Sequence, residues 1–375
     1  MADYDRRGSA AKPDGKFCRG VHASPGPAPH GTRSNAPRAP HALHGRTKMA
    51  HSKNRLNLPQ CEEPVYRWTL KAGLRRSSAF ADKLLAEFGA NVGLACDNDC
   101  TYCSSRATNR CHCAFRALGL DPFERGYGII DPNTVPRVAR DARRKKKRGL
   151  VQVCTASDAW SPAARALGLG RGCLKAILDE PGWTVRVLTK NAEVRCDFDV
   201  LAKHREHCSV GLSTTFLPSD TAAARALEPY ASPPEERFGA LLAAYAAGLT
   251  TFGMLCPLVP AFYQTQEKVD RLFEAALLAH PVEIFAEVLN PRGKGLIHTR
   301  DALRAAGLAA EADAVDALRC REIWSRESTR VIEMVLDAAR RLYDLGRLRI
   351  LLYPKGLTPA DANRLRGFRQ GIIWL

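Results

Sequence analysis

The sequence predicts an α/β fold: a partial (β/α)6 barrel of the TIM type, with a C-terminal cap of helix and strand and a disordered N-terminal extension. From about residue 90, short runs of β-branched and apolar residues alternate with longer amphipathic segments. Strands that alternate with helices of roughly 10–15 residues form parallel βαβ units. Six such units predict a partial barrel, and a doubly wound sheet is the competing architecture.

The elements follow in chain order. The candidate strands lie at 91–95, 150–155, 183–189, 208–213, 250–256 and 282–288. The candidate helices have apolar residues at helical spacing and lie at 134–148, 163–179, 198–204, 234–247 and 265–280. An amphipathic segment at 328–345, an apolar run at 348–353 and the end at 372–375 predict a cap that closes the barrel.

The first 58 residues are rich in Pro, Gly, Ala, His and Arg and have no apolar periodicity. Such a segment cannot bury enough surface to offset chain entropy. We therefore expect a disordered basic extension at 1–58, a core domain at 59–300 and a cap at 301–375. The extension could be an arm that binds nucleic acid. We favour two other interpretations: a dispensable tail, or a start site assigned too early, with Met49 as the true initiator.

Composition predicts a soluble cytoplasmic protein that does not associate with membranes. No run of about 18 apolar residues appears, and the first residues, MADYDRRGSAAKPDG, lack the apolar segment of a signal peptide. Without an export signal, the 13 cysteines are expected to be reduced thiols, and their concentration between 96 and 113 indicates a metal site.

The net charge of +17 is partly concentrated in the run RRKKKR at 143–148. Cations are favoured at a helix C-terminus, where this run is predicted to lie. In a barrel, that end faces away from the active-site rim. The run therefore predicts at most nonspecific contact with nucleic-acid phosphates.

Three cysteines follow the first predicted strand, at the end of a barrel strand where chemistry is usually placed: Cys96, Cys100 and Cys103. Thiolates spaced by three and two residues can bind one face of an iron–sulfur cubane and leave one iron without a protein ligand. An open metal position is typical of a reactive site. A structural zinc site is the alternative, but it requires four ligands, and the fourth would have to come from a distant residue or from the CHC segment at 111–113.

The spacing CxxxCxxC, with Tyr102 before the last cysteine, resembles the signature of the radical S-adenosylmethionine (SAM) superfamily. Further segments resemble the spore photoproduct lyase-related group, in the same order and spacing: VCTASDAWSP at 153–162, VLTK at 187–190, GLS at 211–213, LEP at 227–229, PPEER at 233–237 and CP at 256–257. The resemblance covers about residues 90 to 292. It implies a [4Fe–4S] cluster on the three cysteines, with SAM on the open iron and cleavage of SAM to a 5′-deoxyadenosyl radical.

The resemblance also implies SAM-binding residues. Tyr102 would lie against the adenine, while Ser157, Lys190 and Ser213 would contact SAM from the C-terminal ends of strands. A lysine and hydroxyl groups match the carboxylate and ribose hydroxyls of SAM. The alternative to SAM binding is a purely structural role, with the lysine an ordinary residue at a strand end and the serines capping turns.

Other cysteines have weaker functional interpretations. Cys154 lies near the position of the cysteine that spore photoproduct lyase uses as hydrogen donor. If Ser157 and Asp158 are aligned with the SD of the lyase, however, the lyase cysteine corresponds to Thr155. If the segment is aligned with the GT-x-TDPYQP stretch of the lyase's relatives, Cys154 stands where they have a glycine. A buried packing thiol is therefore favoured over a hydrogen donor. Cys111 and Cys113 flank a histidine and could hold a second metal, but three ligands so close together cannot easily face one ion.

Polar residues near the barrel mouth leave alternatives open. Glu287, Asn290 and Arg292 could orient substrate or SAM, or could form a turn and an ion pair. Glu228 could bond to SAM or its neighbours, or could pair with Arg237.

We therefore expect a radical SAM enzyme that acts on an unidentified substrate, with DNA-lesion repair as one candidate. RNA, protein and metabolite substrates stay open. Its reducing electron would come from a flavodoxin- or ferredoxin-like donor or a chemical reductant. The alternatives are a cysteine-rich nucleic-acid-binding zinc protein and a redox-sensing cluster protein that does not bind SAM.

Overall fold

The computed structural model describes residues 54–375. The predicted N-terminal extension lies outside the described residues except for its last five positions. The strands are β1 Arg55–Leu56, β2 Val65–Arg67, β3 Leu74–Arg76, β4 Phe88–Ala90, β5 Gly93–Ala95, β6 Gly128–Ile130, β7 Leu150–Val153, β8 Thr184–Thr189, β9 Cys208–Thr214, β10 Thr250–Thr251, β11 Gly253–Leu258, β12 Ile284–Val288, β13 Leu348–Leu352 and β14 Ile372–Trp374.

The helices within these residues are α1 Ser78–Ala81, α2 Ser105–Thr108, α3 Cys113–Leu118, α4 Thr134–Arg144, α5 Pro162–Ala166, α6 Leu169–Leu178, α7 Phe198–Ala202, α8 Thr221–Leu227, α9 Pro234–Ala246, α10 Gln266–Leu277, α11 Gly295–Ala305, α12 Ala309–Ala317, α13 Arg321–Leu342 and α14 Pro359–Arg366. None of the described helices is long and apolar enough to span a bilayer.

The larger sheet has the order β3-β4-β7-β8-β9-β11-β12-β13-β14, and β10 pairs with β9 outside this path. All neighbours from β4 to β14 are parallel. A doubly wound sheet reverses its order at a switch point, whereas these strands continue in one direction, as in a barrel. The predicted α/β class is confirmed, and the strand order favours the barrel over the doubly wound alternative.

The sheet contains two parallel strands more than the six that the sequence predicts. β13 and β14, from the segment expected to be a cap, extend the same sheet beyond β12. In register, Leu150 of β7 aligns with Thr184 of β8, and Val185 of β8 aligns with Cys208 of β9. These three strands consequently end close together, at the edge where the sequence motifs lie.

The first barrel strand differs from the prediction at 91–95. The strand that pairs with β7 is β4, whereas β5 pairs antiparallel with β6 in a separate four-stranded sheet of order β1-β2-β6-β5. Asn91 separates the two strands, and its side-chain oxygen accepts the backbone N–H groups of Thr155 and Ala156, both at 2.8 Å. Gly89 and Ala90 have low strand propensity, so β4 gives little signal in the sequence.

Several predicted helices also have different bounds. The segment 163–179 forms two helices, because Gly168 takes the left-handed conformation with φ of 61°. The helix predicted at 134–148 ends at Arg144, since Lys145 is extended. The last predicted helix begins seven positions earlier, at Arg321.

The barrel interior is filled at the N-terminal ends of its strands. The apolar side chains of this floor include Leu85, Phe252, Met254 and Phe285. The guanidinium group of Arg186 lies 5.0 Å from the ring centre of Phe252 and 5.2 Å from that of Phe285, and it pairs with Glu283. Packed side chains therefore close this end, which leaves the C-terminal end of the barrel for chemistry.

Candidate functional site

The three motif cysteines lie on residues 96–103, which we call the cluster loop and which follows β5. Burial, together with the thiols of Cys103 and Cys100, raises the pKa of Cys96 well above its ordinary value. Burial, Glu228 and Cys103 raise the pKa of Cys100 to about 12. The thiols of Cys100 and Cys103 thus both act electrostatically on that of Cys96.

Two of these thiols border a small basic recess. Its lining includes Cys100 and Cys103. Its charged side chains are Arg106, Arg125, Arg292, Lys294 and Glu124. An oxidised [4Fe–4S] core with three thiolates carries about one negative charge, which such a lining complements. The donor set and the charge therefore fit a cluster.

Among residues 54–375, no three His, Cys, Asp or Glu side chains are placed to hold one metal ion. The three thiolates of a cubane bind three different irons, so a cluster needs no such convergence on a single point.

The three residues between Cys96 and Cys100 fix the cluster loop, because all their side chains are buried. Asp97 accepts the backbone N–H of Ala163 at the start of α5, at 2.8 Å. Asp99 forms ion pairs with Arg106 at 3.0 Å and Arg125 at 2.8 Å. The loop is thus tied to the start of α5 and to two arginines that line the recess.

Asp158 joins the cluster loop to the strand ends. Its carboxylate accepts from the side chain of Asn98 at 3.1 Å and from the hydroxyl of Thr189 at 2.7 Å. It also accepts the backbone N–H of Lys190 at 2.9 Å and the side-chain N–H of Asn191 at 3.0 Å. One buried carboxylate thereby holds together β7, β8 and the middle of the cysteine motif.

Glu228 is the second buried carboxylate of the site. It accepts from Lys190 Nζ at 2.8 Å and Thr215 Oγ1 at 2.9 Å, and also from the Tyr102 hydroxyl and Arg237. Burial opposes ionisation, but Arg237 and Lys190 outweigh it and hold the pKa of Glu228 well below its ordinary value. The ion pair with Arg237 is one of the alternatives that the sequence left open.

Lys190 and Tyr102, two predicted SAM contacts, both belong to this network. The three N–H donors of Lys190 bond to Glu228, to Thr215 Oγ1 at 3.0 Å and to the Cys256 carbonyl at 3.0 Å. The Lys190 ammonium also lies 5.5 Å from the Tyr102 ring centre. The network brings two strand-end residues and the cluster loop together, and contact with SAM stays a prediction.

The two predicted serines have different environments. Ser213 donates to the Cys256 carbonyl at 2.8 Å. Ser157 Oγ is buried and makes no hydrogen bond within the described residues, although it lies close enough to the Cys154 thiol to favour the thiolate. A buried hydroxyl without a bond retains full capacity to bind a ligand.

Cys154 packs in the apolar layer between the sheet and its outer helices. It lies in the same cluster as Val153 and Cys173 of α6. Burial and then Cys173 raise its pKa well above the ordinary value. This is the environment of a packing thiol, and the hydrogen-donor role stays a prediction.

The Cys111–Cys113 segment is exposed at both cysteines. His112 Nδ1 accepts the backbone N–H of Ala114 at 3.1 Å and so caps α3. Burial and then the charges of Arg75 and Lys71 lower the pKa of His112. The structure thus assigns this histidine to helix capping.

At the end of β12 the structure shows the turn that was one of the two alternatives from the sequence, while contact of Glu287, Asn290 and Arg292 with substrate or SAM stays a prediction. Asn290 Oδ1 accepts the backbone N–H of Arg292 at 3.1 Å, which forms a turn. The Arg292 guanidinium lies 4.5 Å from the Tyr353 ring centre. Burial raises the pKa of Glu287 even though Lys83 and Arg292 oppose the shift.

Sequence reasoning missed Asp158 as a functional residue and gave Glu228 no definite partner. The available signals were an acidic residue directly after the strand-end Ser157, and the LEP segment in the order of the other motifs. Neither signal reveals how many hydrogen bonds the buried carboxylate accepts.

Comparison with curated proteins finds distant relatives. The chain is 25% identical over 202 residues to an uncharacterised protein of Mycobacterium tuberculosis, which covers 53% of this chain and 57% of that protein. It is 23% identical over 175 residues to an uncharacterised protein of Methanocaldococcus jannaschii, which covers 47% and 61%. Each match spans less than two thirds of the relative's length. No protein-family model matches the chain.

The fold resembles that of spore photoproduct lyase. A solved variant of that enzyme has a TM-score of 0.46 at 15% identity, over 64% of this chain and 66% of the other. Another variant, with bound AdoMet and dinucleoside spore photoproduct, has a TM-score of 0.46 at 13% identity over the same shares. The structural resemblance is partial.

Proposed function

We propose that this protein is a radical SAM enzyme whose [4Fe–4S] cluster is held by Cys96, Cys100 and Cys103. The observation that supports the proposal is a basic recess bordered by Cys100 and Cys103, whose thiols both act electrostatically on that of Cys96. When bound, the cluster supplies the electron that cleaves SAM to methionine and a 5′-deoxyadenosyl radical.

The chain's own residues then bind and orient SAM. Ser157 offers a hydroxyl that has no hydrogen bond elsewhere in the described residues. Lys190 has its three donors occupied, so the SAM carboxylate has to replace one of its present acceptors. Ser213 lies at the end of the adjacent strand, and Tyr102 contributes an aromatic face beside Lys190. The closed barrel floor limits the entry of water and of stray hydrogen donors.

The substrate that we propose first is a nucleic acid. The solved spore photoproduct lyase is complexed with a dinucleoside photoproduct, and cationic side chains line the recess of this chain. The electron donor is proposed to be a small flavodoxin- or ferredoxin-like protein, which dithionite can replace in the assay.

The test is anaerobic reconstitution with iron and sulfide, followed by EPR of the reduced protein with and without SAM. We expect a [4Fe–4S]⁺ signal that SAM alters and that Cys100→Ala removes. Cys113→Ala is the matched control, because Cys113 is exposed and lies outside the motif. Turnover with dithionite and SAM should then yield 5′-deoxyadenosine.

Other outcomes support the competing functions. A colourless protein that retains zinc would indicate a zinc-stabilised nucleic-acid-binding protein and not an enzyme. A cluster whose EPR signal is insensitive to SAM would indicate redox sensing. Under the radical SAM proposal, Ser157→Ala and Lys190→Gln weaken the response to SAM while cluster content stays close to that of the unmodified chain.

A further inference from the structure

Two sequence segments that supply none of the proposed cluster or SAM contacts form a buried ion pair beside the cluster loop. Glu228 comes from the LEP segment, and Arg237 comes from the PPEER segment at the start of α9. We propose that the fixed charges of Glu228 and Arg237 set the reduction potential of the cluster. This inference rests on the proposed function, since it requires that the cluster binds.

Glu228 is connected to the cluster loop at two points. Its carboxylate accepts the hydroxyl of Tyr102, the residue between two of the cluster cysteines. The carbonyl of the preceding residue, Leu227, accepts the backbone N–H of Thr101 at 2.9 Å. The carboxylate therefore lies at a defined position relative to the cysteines.

Arg237 is held equally firmly. Its Nε donates to the Ser232 carbonyl at 2.6 Å, and its Nη1 donates to the Ser213 carbonyl at 2.9 Å. The Arg237 and Glu228 side chains are 1% and 0% exposed. Because water does not reach these two charges, it screens them weakly.

The balance of charge around this pair is positive. Lys190 and Arg237 share the single carboxylate of Glu228. The link to the cysteine motif is geometric. The Lys190 ammonium lies 5.5 Å from the ring centre of Tyr102, the residue directly before Cys103, and the Tyr102 hydroxyl bonds to Glu228.

Reduction of the cluster adds one negative charge at this place. A nearby cation stabilises the reduced form more than the oxidised form, and a nearby carboxylate does the opposite. Removal of the Glu228 charge should therefore raise the reduction potential, and removal of the Arg237 charge should lower it. A purely structural role for the pair gives no reason for shifts of opposite sign.

The experiment is an EPR-monitored redox titration of the reconstituted full chain and of Glu228→Gln and Arg237→Gln. Each variant is expected to change the reduction equilibrium at least tenfold, in opposite directions, which is 59 mV for a one-electron couple. Arg237→Lys retains the charge and is expected to titrate close to the unmodified chain.

Glu283→Gln is the matched control, since it also removes a carboxylate from an arginine pair in the barrel but on the opposite, N-terminal floor. Its potential should not shift. Shifts of the same sign, or unshifted potentials in both test variants, would overturn the inference. If Arg237→Gln does not accumulate, the test rests on Glu228→Gln and Glu283→Gln: the first should raise the reduction potential and the second should leave it unchanged.

The two proposals fail in different ways. A wild-type chain that takes up no cluster refutes the proposed function. A chain that takes up a SAM-responsive cluster, with potentials indifferent to Glu228 and Arg237, leaves the enzyme intact and refutes only the electrostatic role.

Discussion

Asp158→Asn tests whether one carboxylate holds the site together. The variant keeps the size of the side chain but turns one acceptor oxygen into a donor. In its less costly orientation, the new NH₂ replaces Oδ1, which accepts the backbone N–H of Trp160 at 2.9 Å and the Thr189 hydroxyl. The hydroxyl can rotate to accept a bond, but the Trp160 N–H loses its partner.

The expected loss can be worked out from these bonds. A buried donor without a partner costs about 1–3 kcal/mol. The N–H groups of Asn98, Lys190 and Asn191 keep an oxygen, but a neutral one, and each such bond weakens by about 1 kcal/mol. Because neighbouring losses do not add fully, we expect a reduction of about 4 kcal/mol in the free energy of unfolding.

Urea unfolding measured by circular dichroism on the apo-protein checks this value, and iron content after reconstitution checks the cluster loop. Asp199→Asn is the control, since Asp199 pairs with Arg171 at the surface and should leave the midpoint unchanged. If Asp158→Asn unfolds at the same urea concentration as the unmodified chain and binds the same iron, Asp158 does not organise the site.

Three further predictions concern the barrel and its buried charge. Gly211→Ala places a Cβ 2.4 Å from the Phe252 ring and should lower the free energy of unfolding by about 1–3 kcal/mol, measured by thermal unfolding. Its control is Gly239→Ala, which lies in a helix with nothing within 4 Å of the new Cβ and should raise the unfolding temperature. Equal unfolding temperatures for the two variants would contradict the packing of the floor. Phe285→Ala should lower the free energy of unfolding by about 3–5 kcal/mol in urea, and a loss below about 1 kcal/mol would mean that the floor is not packed. The folded pKa of Glu228 is depressed, so its contribution to stability is present above the ordinary value of 4.5 and is lost as pH falls below it. The stability gap between the unmodified chain and Glu228→Gln should therefore narrow below pH 4.5, and a constant gap would argue against an ionised Glu228.

The sequence predicts the fold through local periodicity, and it fails where periodicity is short or ambiguous. β8 and β9 are long and β-branched, and their predicted positions differ from the observed ones by one residue. β4 has three residues, two of them Gly and Ala, and escaped prediction. The run at 348–352 was recognised as apolar, but its place next to β12 depends on tertiary packing, which one sequence does not reveal.

Part of the candidate site could likewise be predicted from the sequence, and part could not. The cysteines are recognisable because their spacing is itself the chemical requirement. Asp158 and Glu228 gain their importance from donors that are distant in the chain, such as Asn98 for the first and Tyr102 for the second. Their positions within motifs are visible in the sequence, but their burial and their hydrogen bonds are not, since burial depends on the complete fold.

The packed floor made by Arg186, Phe252 and Phe285 makes the barrel blind-ended. A long polymer therefore cannot pass along the barrel axis from one end to the other. A polymeric substrate has to turn its reacting residues out of its own chain to reach the C-terminal end of the barrel. If the substrate is a nucleic acid, as we propose, the energy needed to unstack those residues contributes to selectivity, because a damaged or unpaired base is easier to turn out than an intact one.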